Sequence, residues 1–327
     1  MDPAALIEDN RRMLSDRMTR RSILWPTEIL PTPLRIALRR KLLARHELGK
    51  AHRAALLVLA HPKTGNTWLR TMLTRFYLQK HGLPSDFTLK SDELNRLHAS
   101  IPRFFFSNGY YSYERVVAEA LAGPRPDPVL TAKPALFIAR HPCDLAVSWY
   151  FQFTRRISAG KRELIQAELP HPIGIEGLEM WDFVMNEDVG LANMIRFLNG
   201  WNERLALVPN SHRTSYEEMR ADPARVLGRV LDLLGEPHDE AQLRDAVEFG
   251  AFDNLQKLED ERRFRHGGMQ KDAKGDPNAR KVRRGKVGGY RDYFTAEQVA
   301  EMEAMVEARL HSDFGYRPAQ FQKLASN

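Results

Sequence analysis

The run Leu56-Leu57-Val58-Leu59-Ala60, the loop His61-Pro62-Lys63-Thr64-Gly65, and then Trp68, Leu69, Met72, Leu73, Phe76 and Tyr77 at helical spacing constrain this chain more than any other feature. A short apolar run bounded by Pro and Gly reads as a strand buried on both faces. The period of the later residues reads as an amphipathic helix. The loop between them therefore opens a helix, where free backbone N–H groups and the positive end of the helix dipole favour an anion. Lys63 adds a point charge, and Thr64 and Thr67 add hydroxyl donors. A turn with only a structural task needs none of these. A Walker loop would carry upstream glycines and end on Lys followed by Ser or Thr for magnesium. Here Lys63 precedes Gly65 and the upstream glycines are missing, so no metal-nucleotide site is expected.

A second apolar run, Ala135-Leu136-Phe137-Ile138-Ala139, leads into Arg140-His141-Pro142 and a helical pattern through Ser148. A guanidinium at a strand end can grip a phosphate through two parallel hydrogen bonds, and a serine two turns into the helix can add a donor. The alternative is an Arg140–Asp144 pair at a helix start with a packed serine. The basic, Gly-rich stretch Arg283-Arg284-Gly285-Lys286-Val287-Gly288-Gly289-Tyr290 can wrap an anion with backbone and guanidinium groups. Its alternative is a solvated basic loop. Strands alternating with helices imply an α/β fold, a central parallel sheet flanked by helices, with ligands at the strands' carboxyl ends.

Residues 62–68, Pro-Lys-Thr-Gly-Asn-Thr-Trp, resemble the 5′-phosphosulfate loop of sulfotransferases that use 3′-phosphoadenosine 5′-phosphosulfate, usually written PKSGTTW. The Arg140…Ser148 segment resembles that family's 3′-phosphate motif, and residues 283–295 resemble its C-terminal RKGxxGDW…FT segment. Residues 214–223 resemble its YEDL…P segment, and 249–255 its HTSF segment. The resemblance implies a P-loop-like sulfotransferase fold over residues 51–320, with a basic helical extension at 1–50 and a tail at 321–327. It implies that phosphosulfate nucleotide as co-substrate and no metal. The implied nucleotide-binding residues are Lys63, Thr64, Gly65, Asn66, Thr67, Trp68, Arg140, Ser148, Tyr216, Phe252, Arg283, Arg284 and Gly285, with Trp68 and Phe252 stacking on adenine. Lys63 would also neutralise charge on the departing phosphate oxygen while a sulfuryl group moves to an acceptor hydroxyl or amine.

Four departures from the family pattern matter. Gly289 and Tyr290 replace the usual Asp and Trp, and Gly250 and Ala251 lack the family's hydroxyls, which keeps both out of the site. Many relatives carry the general base as a His in a KTH segment, which aligns here with Phe106-Ser107-Asn108, and an amide is no base at neutral pH. Other members use a Glu soon after the first motif's helix, so the candidates in order are Glu93, His98 and Asp92. The family's dimer motif has no clear match, since Ala296 and Ala300 stand where Val and Glu are expected. The missing His keeps a nucleotide-binding pseudo-enzyme as an alternative, and a P-loop-like kinase stands behind it. The acceptor, a small molecule, saccharide or lipid, would meet loops 101–125 and 153–177. The cluster Phe104, Phe105, Phe106, Tyr110, Tyr111 and Tyr113 would either line its pocket or fill the core.

Net charge is +7 over 327 residues, which suits an anionic ligand, although no helix-turn-helix, RRM or zinc signature points to nucleic acid. The single cysteine, Cys143, excludes an internal disulfide. No apolar run approaches the ~20 residues that cross a bilayer, and the amino terminus lacks a secretory apolar core, so a cytoplasmic protein is expected. Residues 34–46, LRIALRRKLLARH, form a basic amphipathic pattern that either packs on the domain or lies on an anionic membrane. Residues 180–204 read as one helix. Asp222-Pro223 reads as N-cap and first helical residue, and Thr295 with Gln298 as a capping box for a helix through Arg309.

Overall fold

The computed structural model describes residues 16–83, 91–107, 131–261, 285–317 and 321. Four parallel strands form its sheet: β1 (Leu56–Ala60), β2 (Phe104–Phe106), β3 (Ala135–Ala139) and β4 (Ser211–Ser215), in the order β2-β1-β3-β4. The register sets Val58 beside Phe106 on one side and Leu136 on the other, and Ile138 beside Thr214. Every residue of β1 and β3 is buried, as their unbroken apolar runs demand. By contrast β4 is the polar run SHRTS at a sheet edge with only Thr214 buried, which is why no hydrophobic pattern announces it. Phe104, Phe105 and Phe106 form β2 and lie in the core, not in an acceptor loop. Tyr110, Tyr111 and Tyr113 fall outside the described residues.

Alternate side chains of the strands feed two cores. Leu57, Leu59, Phe105, Phe137 and Ala139 meet α5 (Pro142–Phe151), α8 (Leu191–Leu205) and α13 (Ala296–Arg309) on one face. Leu56, Val58, Phe106, Leu136 and Ile138 meet α3 (Asn66–Lys80), α10 (Pro223–Leu233), α11 (Glu240–Phe249) and α12 (Phe252–Asp260) on the other. At ~1.5–3 kcal/mol for each large apolar side chain fully removed from water, these layers dominate the fold's stability. Short elements join them: α4 (Ser91–Leu97), α6 (Ala159–Gln166), α7 (Met180–Met185) and α9 (Tyr216–Ala221).

The caps follow the sequence. Asp222 accepts the Arg225 N–H at 3.0 Å ahead of Pro223, and Thr295 with Gln298 closes a reciprocal capping box. The expected single helix over 180–204 is instead two. Asn186 Oδ1 accepts the N–H groups of Asp188 and Val189, stopping α7. A Cβ at Gly190 would stand 2.2 Å from the Val184 carbonyl oxygen, so only glycine lets the chain double back there into α8.

Upstream, α1 (Asp16–Thr27) and α2 (Thr32–Arg53) form a hairpin beside α6. The helix expected over 34–46 lies within α2. Its Leu43 and Ala44 are buried, while Arg35 and Arg39 pair with Glu163 and Arg40 with Glu168. These groups, which the sequence offered to a flat membrane surface, are turned onto the protein.

Candidate functional site

Strand order reverses beside β1, with β2 on one flank and β3 on the other, and the crevice beyond such a switch point is where open α/β sheets bind ligands. Both loops named by the sequence leave the sheet there. After β1 the chain makes a tight turn in which Lys63 (φ +82) and Gly65 (φ +99) are left-handed. Left-handed residues flanking Thr64 are the backbone geometry that makes successive N–H groups converge on an anion. Lys63 is the non-glycine residue with positive φ among those described, a strained conformation that ordinarily costs ~1–3 kcal/mol and clusters at functional sites. Two bonds hold the turn: Thr64 Oγ1 donates to the His61 carbonyl at 2.9 Å, and Arg140 Nη1 donates to the Lys63 carbonyl at 2.9 Å. A Cβ on Gly65 would meet Met219 Cε at 2.5 Å. The turn is thus seated against α9.

After β3 there is no such loop. Pro142 takes the first helical position of α5 directly, so this end of the sheet contributes side chains. Arg140 lies over the Tyr216 ring at 4.3 Å and leaves Nε buried with no hydrogen-bond partner. The Arg140–Asp144 alternative does not describe what is seen. Asp144 accepts the backbone N–H groups of Gly288 (2.7 Å) and Tyr290 (2.9 Å), tying the 285–293 segment to α5. Burial pushes its carboxyl up, with Arg140 opposing. Tyr290 fills the family's Trp position: it is fully buried, stacks parallel on His141 at 5.3 Å, and donates to Glu303 at 2.7 Å. Burial lowers the pKa of His61 and of His141 to about 3. Neither imidazole carries charge near neutrality.

These elements enclose a cavity of about 470 Å³. Lys63, Gly65, Asn66, Thr67 and Trp68 line it from the β1–α3 junction, Arg140 and Ser148 from the end of β3 and from α5, and Tyr216, Phe252 and Gly285 from later segments. Trp68 and Tyr216 meet edge to face at 6.1 Å, and a Cβ on Gly285 would stand 2.8 Å from the Phe252 ring, so that ring lies flush with the 285 backbone. Trp68 Nε1 and Asn66 Oδ1 are, like Arg140 Nε, buried without hydrogen-bond partners. Buried polar atoms left unpaired at the wall of a cavity are costly unless a ligand or water completes them. The described lining carries six cations, Lys63, Arg140, Arg156, Lys161, Arg220 and Lys286, of which Lys286 is paired with Asp292 and Arg156 with Glu259, against one carboxylate, Asp144, which is committed to backbone donors. Such a cavity suits a polyanion with an aromatic part.

Of the predicted residues, Thr64 is buried behind the turn, and Arg283 and Arg284 lie outside the described residues, as does Asn108. Glu93 and Asp92 belong to α4, with side chains outside the described set. His98 is exposed just beyond α4. Its Nδ1 is 2.7 Å from Ser100 Oγ and its ring stacks on His81 at 4.1 Å, and it does not line the cavity. The sequence reading missed Gly250, Arg220, Arg156 and Lys161, all in the lining. A Cβ at Gly250 would press 2.8 Å from Met72 Cγ and 3.2 Å from Trp68 Nε1. Its smallness, not a hydroxyl, is what the site uses. Arg220 was findable, since it stands one helical turn after Tyr216 on α9 and reaches over Trp68 at 5.9 Å. Arg156 ends a π-helical turn, Gln152–Arg156, which periodicity does not reveal.

Comparison with known proteins gives the family and the fold. The family model described as sulfotransferase domain matches residues 53–314. A flavonol 3-sulfotransferase of Flaveria bidentis is 21% identical over 80% of this chain and 83% of its own length. Cytosolic sulfotransferase 17 of Arabidopsis thaliana is 24% identical over 82% and 78%. Among solved structures, mouse sulfotransferase SULT7A1 complexed with PAP superposes with a TM-score of 0.50 at 16% identity, covering 86% of this chain and 92% of that one. Retinol dehydratase complexed with androsterone and PAP gives 0.50 at 18%, covering 81% and 85%.

Proposed function

The chain belongs to the sulfotransferase domain family, and from that premise we propose that its cavity binds 3′-phosphoadenosine 5′-phosphosulfate through both phosphate ends and passes the sulfuryl group to an acceptor hydroxyl or amine. The enzyme is a sulfotransferase. The observation that carries the donor assignment is that these segments share one cavity. A left-handed backbone turn with Lys63 stands at the end of β1, Arg140 and Ser148 line the cavity from the end of β3 and from α5, and Trp68, Tyr216 and Phe252 supply aromatic wall.

In the reaction the acceptor oxygen or nitrogen forms a bond to sulfur as the bond from sulfur to the 5′-phosphate oxygen breaks. The acceptor proton leaves to a base, and the electron pair of the broken bond stays on the phosphate. Lys63 stabilises that growing charge, the turn's N–H groups and Thr67 orient the phosphate, and Arg140 with Ser148 holds the 3′-phosphate. Trp68 and Phe252 stack on adenine, a contact worth ~1–3 kcal/mol per base in nucleic-acid systems. We assign this activity to residues 51–320; α2 runs across the 50/51 boundary and Phe321 is buried in the core, so neither flank is detached from the domain at its edge. Arg283 and Arg284 are assigned to the 3′-phosphate by the family pattern, and Glu93 ahead of His98 to the base. His98 does not line the cavity.

The acceptor is a small molecule, in keeping with the flavonol named for one relative and the androsterone bound to one neighbour. The cytoplasm is the compartment that the cytosolic relative supports. Among the described residues no helix is long and apolar enough to cross a membrane. The test is ligand stabilisation. Adenosine 3′,5′-bisphosphate at one hundred times its dissociation constant should stabilise the fold by about 2.7 kcal/mol, and adenosine 5′-phosphate at the same concentration far less. Equal thermal shifts would refute the 3′-phosphate role of Arg140 and Ser148.

A further inference from the structure

Large apolar side chains standing in solvent are concentrated in one place. Among the described residues they are Met18, Leu24, Trp25, Ile29 and Leu34, with only Leu97 and Leu207 elsewhere. Trp25 is 86% exposed, Ile29 89% and Leu34 55%, and all three sit where α1 ends at Thr27 and α2 begins at Thr32, the tip of the N-terminal hairpin. The hairpin does not need them to hold its position. It is fixed by a small cluster of Ile23, Ile36, Leu43 and Leu164, and by the pairs Arg20–Glu47, Arg35–Glu163 and Arg40–Glu168. An exposed tryptophan with two exposed aliphatics at one helix–helix turn is the composition of a membrane-interface contact, apolar at the end and wet behind.

The cations behind the tip favour one partner. Arg21, Lys41 and Arg45 are exposed, and none is in an ion pair among the described residues. At 1.5 Å per residue, Arg21 stands about 6 Å up α1 from Trp25, and Lys41 about 10 Å up α2 from Leu34. Interfacial apolar surfaces sink about 5–10 Å into the headgroup boundary. A tip at that depth brings these two cations level with lipid phosphates, with Arg45 one turn higher. Glu28, the carboxylate at the tip, is already paired with Arg39. A second copy of this chain fits less well, because a two-fold contact through the tip would bring the same unpaired cations together.

We infer that Trp25, Ile29 and Leu34 insert into the surface of an anionic phospholipid bilayer, with Arg21, Lys41 and Arg45 against its headgroups. The inference is independent of the sulfotransferase reading. It also differs from α2 lying flat, since the inward face of that helix is used on the protein.

The test is flotation of the full chain with phosphatidylglycerol–phosphatidylcholine vesicles and with phosphatidylcholine vesicles. The chain should bind the anionic vesicles and bind the neutral ones at least ten-fold more weakly. Trp25→Ser/Ile29→Ser should weaken binding to anionic vesicles roughly ten-fold or more. Lys41→Gln/Arg45→Gln should weaken it roughly five-fold per charge, with no change on neutral vesicles. Circular dichroism melting would show that the variants are folded, since every altered side chain is exposed. No binding of the full chain to anionic vesicles at millimolar lipid would overturn the inference. So would unchanged binding by the folded tip variant, or a dimer in light scattering that the tip substitutions abolish.

Discussion

The strand ends of β1 and β3 both carry a buried His followed by Pro behind the cavity, yet the residues that follow build opposite kinds of wall. After His61-Pro62 three more residues precede α3, two of them left-handed, so this wall contains a backbone turn as well as the side chains that follow it. After His141 the proline is itself the first residue of α5, and the wall is made of side chains from Arg140, Asp144 and Ser148. A backbone cradle with one mobile charge suits a group whose charge changes during reaction. Side chains fixed on a rigid helix suit a group that only has to be held. The Arg140–Lys63 hydrogen bond joins the two walls, so their separation in function is a matter of degree. Substitutions on each side measure how large that degree is.

The largest effect is expected at the β1 turn. Lys63→Ala should lower turnover by about 10²–10³, the range for removing one preorganised charge-stabilising group, while adenosine 3′,5′-bisphosphate affinity falls only a few-fold. Single-turnover transfer of labelled sulfate separates these. Near-normal transfer by the variant would make the β1 turn a binding element like its neighbour and erase the contrast.

Arg140→Ala should show the reverse ordering. Losing a charged hydrogen bond to phosphate costs about 1.5–3 kcal/mol, which is roughly 10- to 100-fold in bisphosphate affinity measured by calorimetry. Turnover at saturating donor should fall less, through the loosened Lys63 carbonyl. Arg140→Lys should recover only part of the affinity, because an ammonium cannot reproduce two parallel bonds. Full recovery would mean that charge alone matters at that wall.

How much of this was legible depends on which residues carried the signal. Unbroken apolar runs disclose β1 and β3, and the turn chemistry of residues 61–65 discloses the phosphate cradle, because both are local properties of the chain. Strand β4 was not legible, since an edge strand with one buried residue has no need of apolar alternation. The break at Gly190 was hidden for another reason: it is enforced by carbonyl oxygens of α7 and its end rather than by a composition change. Tyr290 at the usual Trp position could not be judged from sequence. Its acceptability depends on His141, Glu303 and Asp144, which only the fold brings to it. Nor could the sequence separate the two faces of α2, because arginines that suit a membrane also suit Glu163 and Glu168.

The smallest expected effect tests what the two strand ends share. Burial holds His61 and His141 neutral, with pKa about 3 against 6.5 for an unhindered imidazole. Between those values the unfolded chain binds more protons than the folded one. The contribution of each ring to stability is therefore fully present above about pH 6.5 and declines as pH falls toward 3. Asp144 and Glu217, whose carboxyls burial pushes up, act in the opposite sense, gaining stability as pH falls, so the comparison must be made against the parent protein. His141→Phe keeps a flat ring against Tyr290 and Phe321 and removes the titration. From pH 6.5 to 5 its unfolding free energy should fall less steeply than the parent's, by at most about 1.4 kcal/mol per pH unit, one proton's worth. His61→Phe, against Trp149 and Phe197, should do the same. Urea unfolding at several pH values reads both slopes. A parent and a His141→Phe variant with parallel slopes would mean that this imidazole takes up a proton in the folded state, and that the β3 wall carries a second, pH-dependent charge that the β1 wall lacks.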